Sequence, residues 1–397
     1  MAYNPWRLAF GGMVALAAAM GVGRFVYTPI LPVMVEELGL TTSQAGLIAS
    51  ANFLGYLAGA LLAASPAFSG SRRTYMLAGL AASALGLLAM GLTDNFTLHL
   101  IFRFIGGLAS AFVLVFASAL VLDQLAASGD SRLSALHFAG VGTGVVISAV
   151  AVAILVALGT GWKSLWFASA LMGVAGLALA ALLITPRELP GNGFSGAPAA
   201  RVSFALKAMI LSYGLFGFGY VITATFIVAI VRAHPELSNL EPYVWVLFGL
   251  SAAPSVALWL WLAARLGAIP AFAVACLVEA VGVASSILWA STAGLVVAMV
   301  FLGGTVMGIT ALGLIATRQL STGDPRPNIA LITAAFGVGQ VVGPVFGGYL
   351  YDQLGSFAVP SLVAAVALVV ASGLAGLAAA SQSRKAAEAA ASVKTSA

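Results

Sequence analysis

The chain has 397 residues, of which 61% are hydrophobic and only 7% charged, and its mean hydropathy is +1.08. Soluble domains carry roughly 25% charged residues, so a soluble globular protein is excluded. The formal charge of +5 comes without a basic cluster interleaved with aromatics, which argues against a nucleic-acid partner, and the single cysteine, Cys276, excludes an intrachain disulfide.

A membrane-crossing helix needs about 20 apolar residues, and hydropathy places twelve such spans. They run approximately 8–33, 43–65, 74–92, 96–122, 134–158 and 162–184, then 204–231, 243–264, 269–290, 294–317, 328–351 and 358–380. The first contains Gly21-Val-Gly-Arg-Phe-Val-Tyr-Thr-Pro-Ile-Leu-Pro32, with Arg24 standing in an otherwise apolar run. A guanidinium keeps its charge, and burying one in hydrocarbon costs a few kcal/mol at least, so such a residue faces a bundle interior or a wet cavity. Arg24 lies about ten residues from the outer end of its span, or ~15 Å, far for snorkelling to the surface. Span 4 carries Arg103 at ~10 Å depth by the same rise.

Between the sixth and seventh spans, TPRELPGNGFSGAPAARVS (185–203) is rich in proline and glycine and reads as a linker. The expected domains are therefore an N-terminal bundle (1–184), this linker (185–203), a C-terminal bundle (204–380) and a tail (381–397) whose small polar residues predict disorder. With the amino terminus inside, thirteen of the seventeen basic residues fall in cytoplasmic segments, and only Lys163 and Arg232 fall outside. This positive-inside bias predicts that both termini and the linker are cytoplasmic and explains the basic pI. A cleavable signal peptide is not expected, because the first apolar run is too long for one.

The two halves repeat. Gly21-Val-Gly23 recurs as Gly217-Phe-Gly219 at an offset of 196; Phe104-Ile-Gly106-Gly107 recurs as Phe301-Leu-Gly303-Gly304, and Gly140-Val-Gly142 as Gly337-Val-Gly339, at 197. A duplicated six-helix unit around a central pathway implies transporter architecture.

Gly339-Gln-Val-Val-Gly343-Pro344-Val-Phe-Gly347-Gly348 in span 11 resembles the GxxxGPxxGG helix motif of the major facilitator superfamily, and the likeness extends over nearly the whole chain. In antiporters that motif sits in span 5, where this chain has only Gly140-Val-Gly-Thr-Gly144 without the proline. Arg103-Phe-Ile-Gly-Gly107 resembles the superfamily's span 4 motif, whose arginine is implicated in proton-coupled transport. The motif between spans 2 and 3 is degraded, with Ala63 in place of its aspartate, and Ala264 stands at the matching place between spans 8 and 9. Within the superfamily, residues 21–32 and 217–226 are similar to the YbfB/YjiJ-type group. The resemblance implies an all-α major facilitator fold of twelve transmembrane helices in two pseudo-symmetric six-helix bundles, with spans 1, 4, 7 and 10 around the cavity and span 9 on the periphery. It also implies a multi-pass protein of the bacterial inner membrane.

Arg24 and Arg103 then face one cavity at similar depth, and paired guanidinium groups suit a carboxylate or phosphate. Against this, Arg24 could pair with a helix-end carbonyl and Arg103 could be an interhelical hydrogen-bond hub. At the repeat offsets they correspond to Tyr220 and Val300, so the charges do not recur, and the second half offers Tyr220, Thr223 and Thr225. The candidate substrate-binding residues are Arg24, Arg103, Tyr27, Tyr220 and Thr223. Arg103 and Glu279 are the coupling candidates, with protons as the candidate ion. For Glu279 in peripheral span 9, a structural hydrogen bond or a protonated, lipid-facing position is expected instead of coupling. Asp123 and Asp352 read as capping or solvated, and the interior amides of Asn52 and Gln340 fit interhelical bonds as well as they fit substrate contact.

No P-loop, Ser/His/Asp set or metal-ligand cluster is legible, so no enzyme, cofactor or metal is expected. The expectation is a monomeric secondary transporter that moves a small polar, anionic organic solute across the bilayer by alternating access. The alternatives are a proton-coupled drug or metabolite efflux antiporter and a non-transporting membrane sensor.

Overall fold

The computed structural model describes residues 4–68, 70–185, 203–321 and 325–396. Among these, twelve helices are long and apolar enough to cross a membrane. Spans 1 to 6 are Pro5–Leu38, Thr42–Ala63, Arg72–Gly91, Phe96–Ala127, Ser131–Ala157 and Trp162–Leu183. Spans 7 to 12 are Phe204–Arg232, Ser238–Leu266, Ala268–Leu288, Thr292–Leu320, Pro327–Leu354 and Ala358–Arg384. Each overlaps one expected span. Several run further, as Phe96–Ala127 does, because polar turns continue the helical backbone bonding beyond the hydrocarbon.

Of the expected linker, residues 186–202 lie outside the described residues. The expected loose tail is corrected: the last helix continues unbroken to Ser396. Its alanine-rich stretch, Ala386-Ala-Glu-Ala-Ala-Ala-Ser, combines the strongest helix formers, which outweighs the lack of apolar residues.

Two of the repeated glycine pairs make equivalent contacts in each bundle. Gly21 of span 1 rests on the span 5 backbone at Gly144, and Gly217 of span 7 on the span 11 backbone at Phe336. Gly107 of span 4 meets Asn52 of span 2, and Gly303 of span 10 meets Phe248 of span 8. Small residues let membrane helices approach this closely.

The bundles meet along two seams, spans 2 with 11 and spans 5 with 8. In the second seam Gly142 and Gly249 face each other's carbonyl oxygens, where a Cβ on either would stand 2.6 or 2.9 Å from the other's oxygen. At the end opposite the linker, Asp352 of span 11 accepts from the backbone N–H groups of Thr42 (3.1 Å) and Ser43 (2.9 Å), the first turn of span 2. Arg232 of span 7 binds Glu241 at 2.6 Å and reaches Glu36 of span 1 at 3.5 Å. On the linker side the first half of span 1 packs against spans 4, 5 and 6 of its own bundle, and its far half, Tyr27–Leu38, packs on span 7. Polar contacts thus tie the two bundles together at the far side.

The Asp352 contact satisfies two free N–H groups at a helix N-terminus, worth about 0.5–1 kcal/mol at an exposed position. In an Asp352→Ala variant, a cysteine at Ala45, buried in this seam, should alkylate roughly two- to fivefold faster. An unchanged rate would show that Asp352 does not hold the seam shut.

Candidate functional site

Span 1 is not a continuous α-helix. After Pro5–Leu16 the residues Ala17–Val22 widen into a π turn, the chain turns through 23–26, and the α-helix resumes at Tyr27. The N–H groups of Gly23 and Phe25 reach back five residues, to Ala18 (2.8 Å) and Met20 (3.0 Å). Pro29, which has no N–H to offer the carbonyl of Phe25, adds to the break. Such breaks are tolerated in a membrane only where other groups satisfy the freed backbone. Here Arg103 of span 4 does so, donating from Nη1 to the Gly23 carbonyl (3.3 Å) and from Nη2 to that of Arg24 (3.0 Å). Asn52 of span 2 donates to the Arg103 carbonyl at 2.9 Å. The Tyr27 ring lies 5.0 Å from the Arg103 guanidinium, and its hydroxyl donates to the Ala45 carbonyl at 2.9 Å.

The same break aims Arg24 across the seam. Its Nη2 donates to Gln340 Oε1 of span 11 (3.1 Å), and Gln340 Nε2 in turn donates to the Tyr220 hydroxyl of span 7. The guanidinium lies over the ring of Tyr56, 3.9 Å from its centroid, and 4.9 Å from that of Phe53. Beside it Thr28 donates to the Ala224 carbonyl at 3.0 Å.

Both arginines are buried, with 3% and 4% of their surface exposed, and the Nε of each has no hydrogen-bond partner. Among the described residues no carboxylate forms an ion pair with either. Ring faces supply part of the missing counter-charge. A full counter-anion is what the arrangement lacks.

Between the two guanidinium groups lies a cavity of about 20 Å³, walled by Arg24, Arg103, Tyr27, Thr28 and Phe53 from one bundle and Tyr220 and Thr225 from the other. That is room for one water molecule. In this conformation the site has closed on itself.

Four of the expected residues, Arg24, Arg103, Tyr27 and Tyr220, thus share one wall. Thr223 does not reach it: it is fully buried on another face of span 7 with its hydroxyl unpartnered, and Thr225 takes the place on the wall. Of the two readings open to Asn52, its amide makes the interhelical bond, and Asp352 caps a helix. Asp123 is solvated, as one of its two readings expects, and pairs at the surface with Arg72 at 2.6 Å.

Glu279 overturns one of the two placements expected for it. It is fully buried and not lipid-facing, with the Thr305 side chain as its polar neighbour, the place where the expected structural bond would form. The Thr305 hydroxyl beside it donates to the Phe301 carbonyl at 2.6 Å.

Gln340 was visible as an interior amide but not as the partner of Arg24. Of span 2 only Asn52 is singled out by the sequence, though Ala49, Asn52, Phe53 and Tyr56 fall at i, i+3, i+4 and i+7, one helical face.

The chain is similar to known transport proteins in sequence and shape. It is 27% identical over 373 residues to a chloramphenicol resistance protein of Streptomyces lividans, an alignment that covers 90% of this chain and 94% of that one. Over 94 residues, 24% of each chain, it is 32% identical to the uncharacterized MFS-type transporter YceJ of Bacillus subtilis (strain 168). Its structure matches crystal structures of the nucleoside transporter NupG. A mutant form gives a TM-score of 0.73, with 94% of this chain and 99% of that chain covered, and a second structure gives 0.69. At 14% identity this likeness establishes the fold, two six-helix bundles of the major facilitator type. Residues 16–376 match the family described as "Uncharacterised MFS-type transporter YbfB", and with nearly the whole chain inside that match, the protein belongs to this family of major facilitator transporters.

Proposed function

We propose that this multi-pass membrane transporter carries a small organic anion by alternating access, as a monomer in the bacterial inner membrane with both termini cytoplasmic. One observation carries the anion reading: two buried guanidinium groups, each with an unpartnered Nε, face one cavity at the bundle seam with no carboxylate to neutralise them. Arg24 is the binding group, because its contact to Gln340 crosses the seam and breaks when the bundles part. A solute carboxylate would replace the neutral amide oxygen with a charge-assisted bond, roughly twice as strong. Thr28, Tyr220 and Thr225 stand ready as hydroxyl partners. Arg103 acts through span 1, holding the break that aims Arg24.

Counterflow in proteoliposomes tests this. Small monocarboxylates should accumulate and compete with one another, and accumulation of cationic solutes alone would refute the reading. The orientation rests on the charge bias, and cysteines at Asn95 and at Ser195 (a position outside the described residues) should label from opposite faces with an impermeant reagent. Labelling of both from the periplasm would overturn it.

A second reading, a proton-coupled efflux antiporter, is favoured by Glu279, a fully buried carboxyl with no cation paired to it among the described residues, and by the likeness to the chloramphenicol resistance protein. Glu279→Gln separates the two. Flux driven by a pH gradient should persist if Glu279 only fills the C-terminal bundle. It should vanish, with solute binding intact, if that carboxyl carries the coupled proton.

A further inference from the structure

The rings around the cavity fall into two groups with different explanations. Tyr56 and Phe53 lie over Arg24, and Tyr27 lies by Arg103. Each of these offsets a buried positive charge with its π face, so none requires a ligand.

The rings of the opposite bundle have no such duty. Tyr213, Phe216 and Tyr220 recur along one face of span 7, and Phe336 of span 11 joins them. Four pairs among these rings have centroids 4.8 to 6.0 Å apart and planes within 26° of parallel. Among the described residues no cation lies over any of the four. Tyr213 and Phe216 are tilted by 38° to one another, so the near-parallel part of the cluster is Phe216, Phe336 and Tyr220, whose planes lie within 24° of one another, and such a stack presents a flat face at its end. That end is Tyr220, which lines the cavity. Its hydroxyl binds Gln340, the same amide that occupies Arg24. A flat apolar face and an anion anchor therefore meet at one side chain, on opposite sides of the seam that must open.

We propose that the transported anion is an aromatic carboxylate. Its carboxylate would take the place of the Gln340 amide oxygen on Arg24, and its ring would extend the span 7 stack at Tyr220. This rests on the anion reading above and narrows it. The present cavity of about 20 Å³ admits no such ligand. Its wall is divided between the bundles, however, so their separation enlarges it and frees Arg24 and the Tyr220 face together. One added stacked ring is worth roughly two- to tenfold in affinity beyond its burial.

The test uses the full-length protein in nanodiscs, with calorimetry against benzoate, cyclohexanecarboxylate and benzyl alcohol. The two carboxylates share charge and carbon skeleton and differ in the π system; benzyl alcohol keeps the ring and lacks the charge. Benzoate should bind, cyclohexanecarboxylate should bind at least about twofold more weakly, and benzyl alcohol should be weakest. In Tyr220→Leu, which keeps an apolar side chain but no ring, the two carboxylates should become equal. The wild-type comparison stands even if that variant folds poorly. Equal binding of both carboxylates to the wild type overturns the aromatic proposal and leaves the anion reading intact. Failure of benzoate to bind also overturns it. If benzyl alcohol binds where neither carboxylate does, the anion reading falls as well.

Discussion

Arg24→Ala is expected to abolish most anion binding while leaving the protein as heat-stable as the wild type or more so. A hydrogen bond to a charged group is worth roughly 1.5–3 kcal/mol, which is about a 10- to 150-fold loss of affinity. The stability expectation has the opposite sign because Arg24 is a buried charge without a counter-ion. Removing such a charge relieves its desolvation cost, which outweighs the one neutral bond to Gln340 and the ring contacts to Tyr56 and Phe53 lost with it. Arg24→Lys keeps the charge without the fork, so its affinity should fall between the two. Calorimetry with a carboxylate ligand and a melting curve on the same preparation give both readings. Wild-type affinity in Arg24→Ala would end the proposal that this residue holds the solute.

Arg103→Ala should do the reverse, with a lower melting temperature and loss of transport. Its terminal nitrogens serve the carbonyls of Gly23 and Arg24 where span 1 is broken. Left without a donor in a dry site, the two carbonyls together cost about 1–4 kcal/mol, the lower end reflecting the modest values found for interhelical bonds in membranes. Arg24 then loses its aim, so the double variant should bind no more weakly than the worse single variant. Such non-additivity is the signature of residues in one network. Fully additive losses would mean that Arg103 meets the solute on its own account.

The fold was legible because each span announces itself through composition, and the charge bias and glycine repeat added its organisation. Arg24 and Arg103 were legible for a related reason: a guanidinium in an apolar run is too costly to be incidental. Their different duties were not. Whether an arginine serves a ligand or a carbonyl depends on a π turn of one helix, and residues as ordinary as Ala17–Val22 do not signal one. Gln340 could be recognised as a buried amide, yet its partner lies 316 positions away in sequence, beyond any local pattern. Glu279 was misjudged because a helix on the periphery of a bundle still has an inner face. Only the register of span 9 decides which residues occupy it.

The π turn in span 1 has one more consequence. An α-helix advances about 100° per residue, whereas a π turn fits one extra residue into nearly the same rotation, so the side chains beyond it keep their faces. Deleting one alanine from Ala17–Ala19 would therefore let the segment relax to ordinary helix with Arg24 still facing Gln340. The same deletion in the regular helix Tyr27–Leu38 would instead turn one part of the span against the other by about 100°. Span 1 thus has one short stretch in which a lost residue is absorbed locally, and it lies directly before the charge whose direction matters.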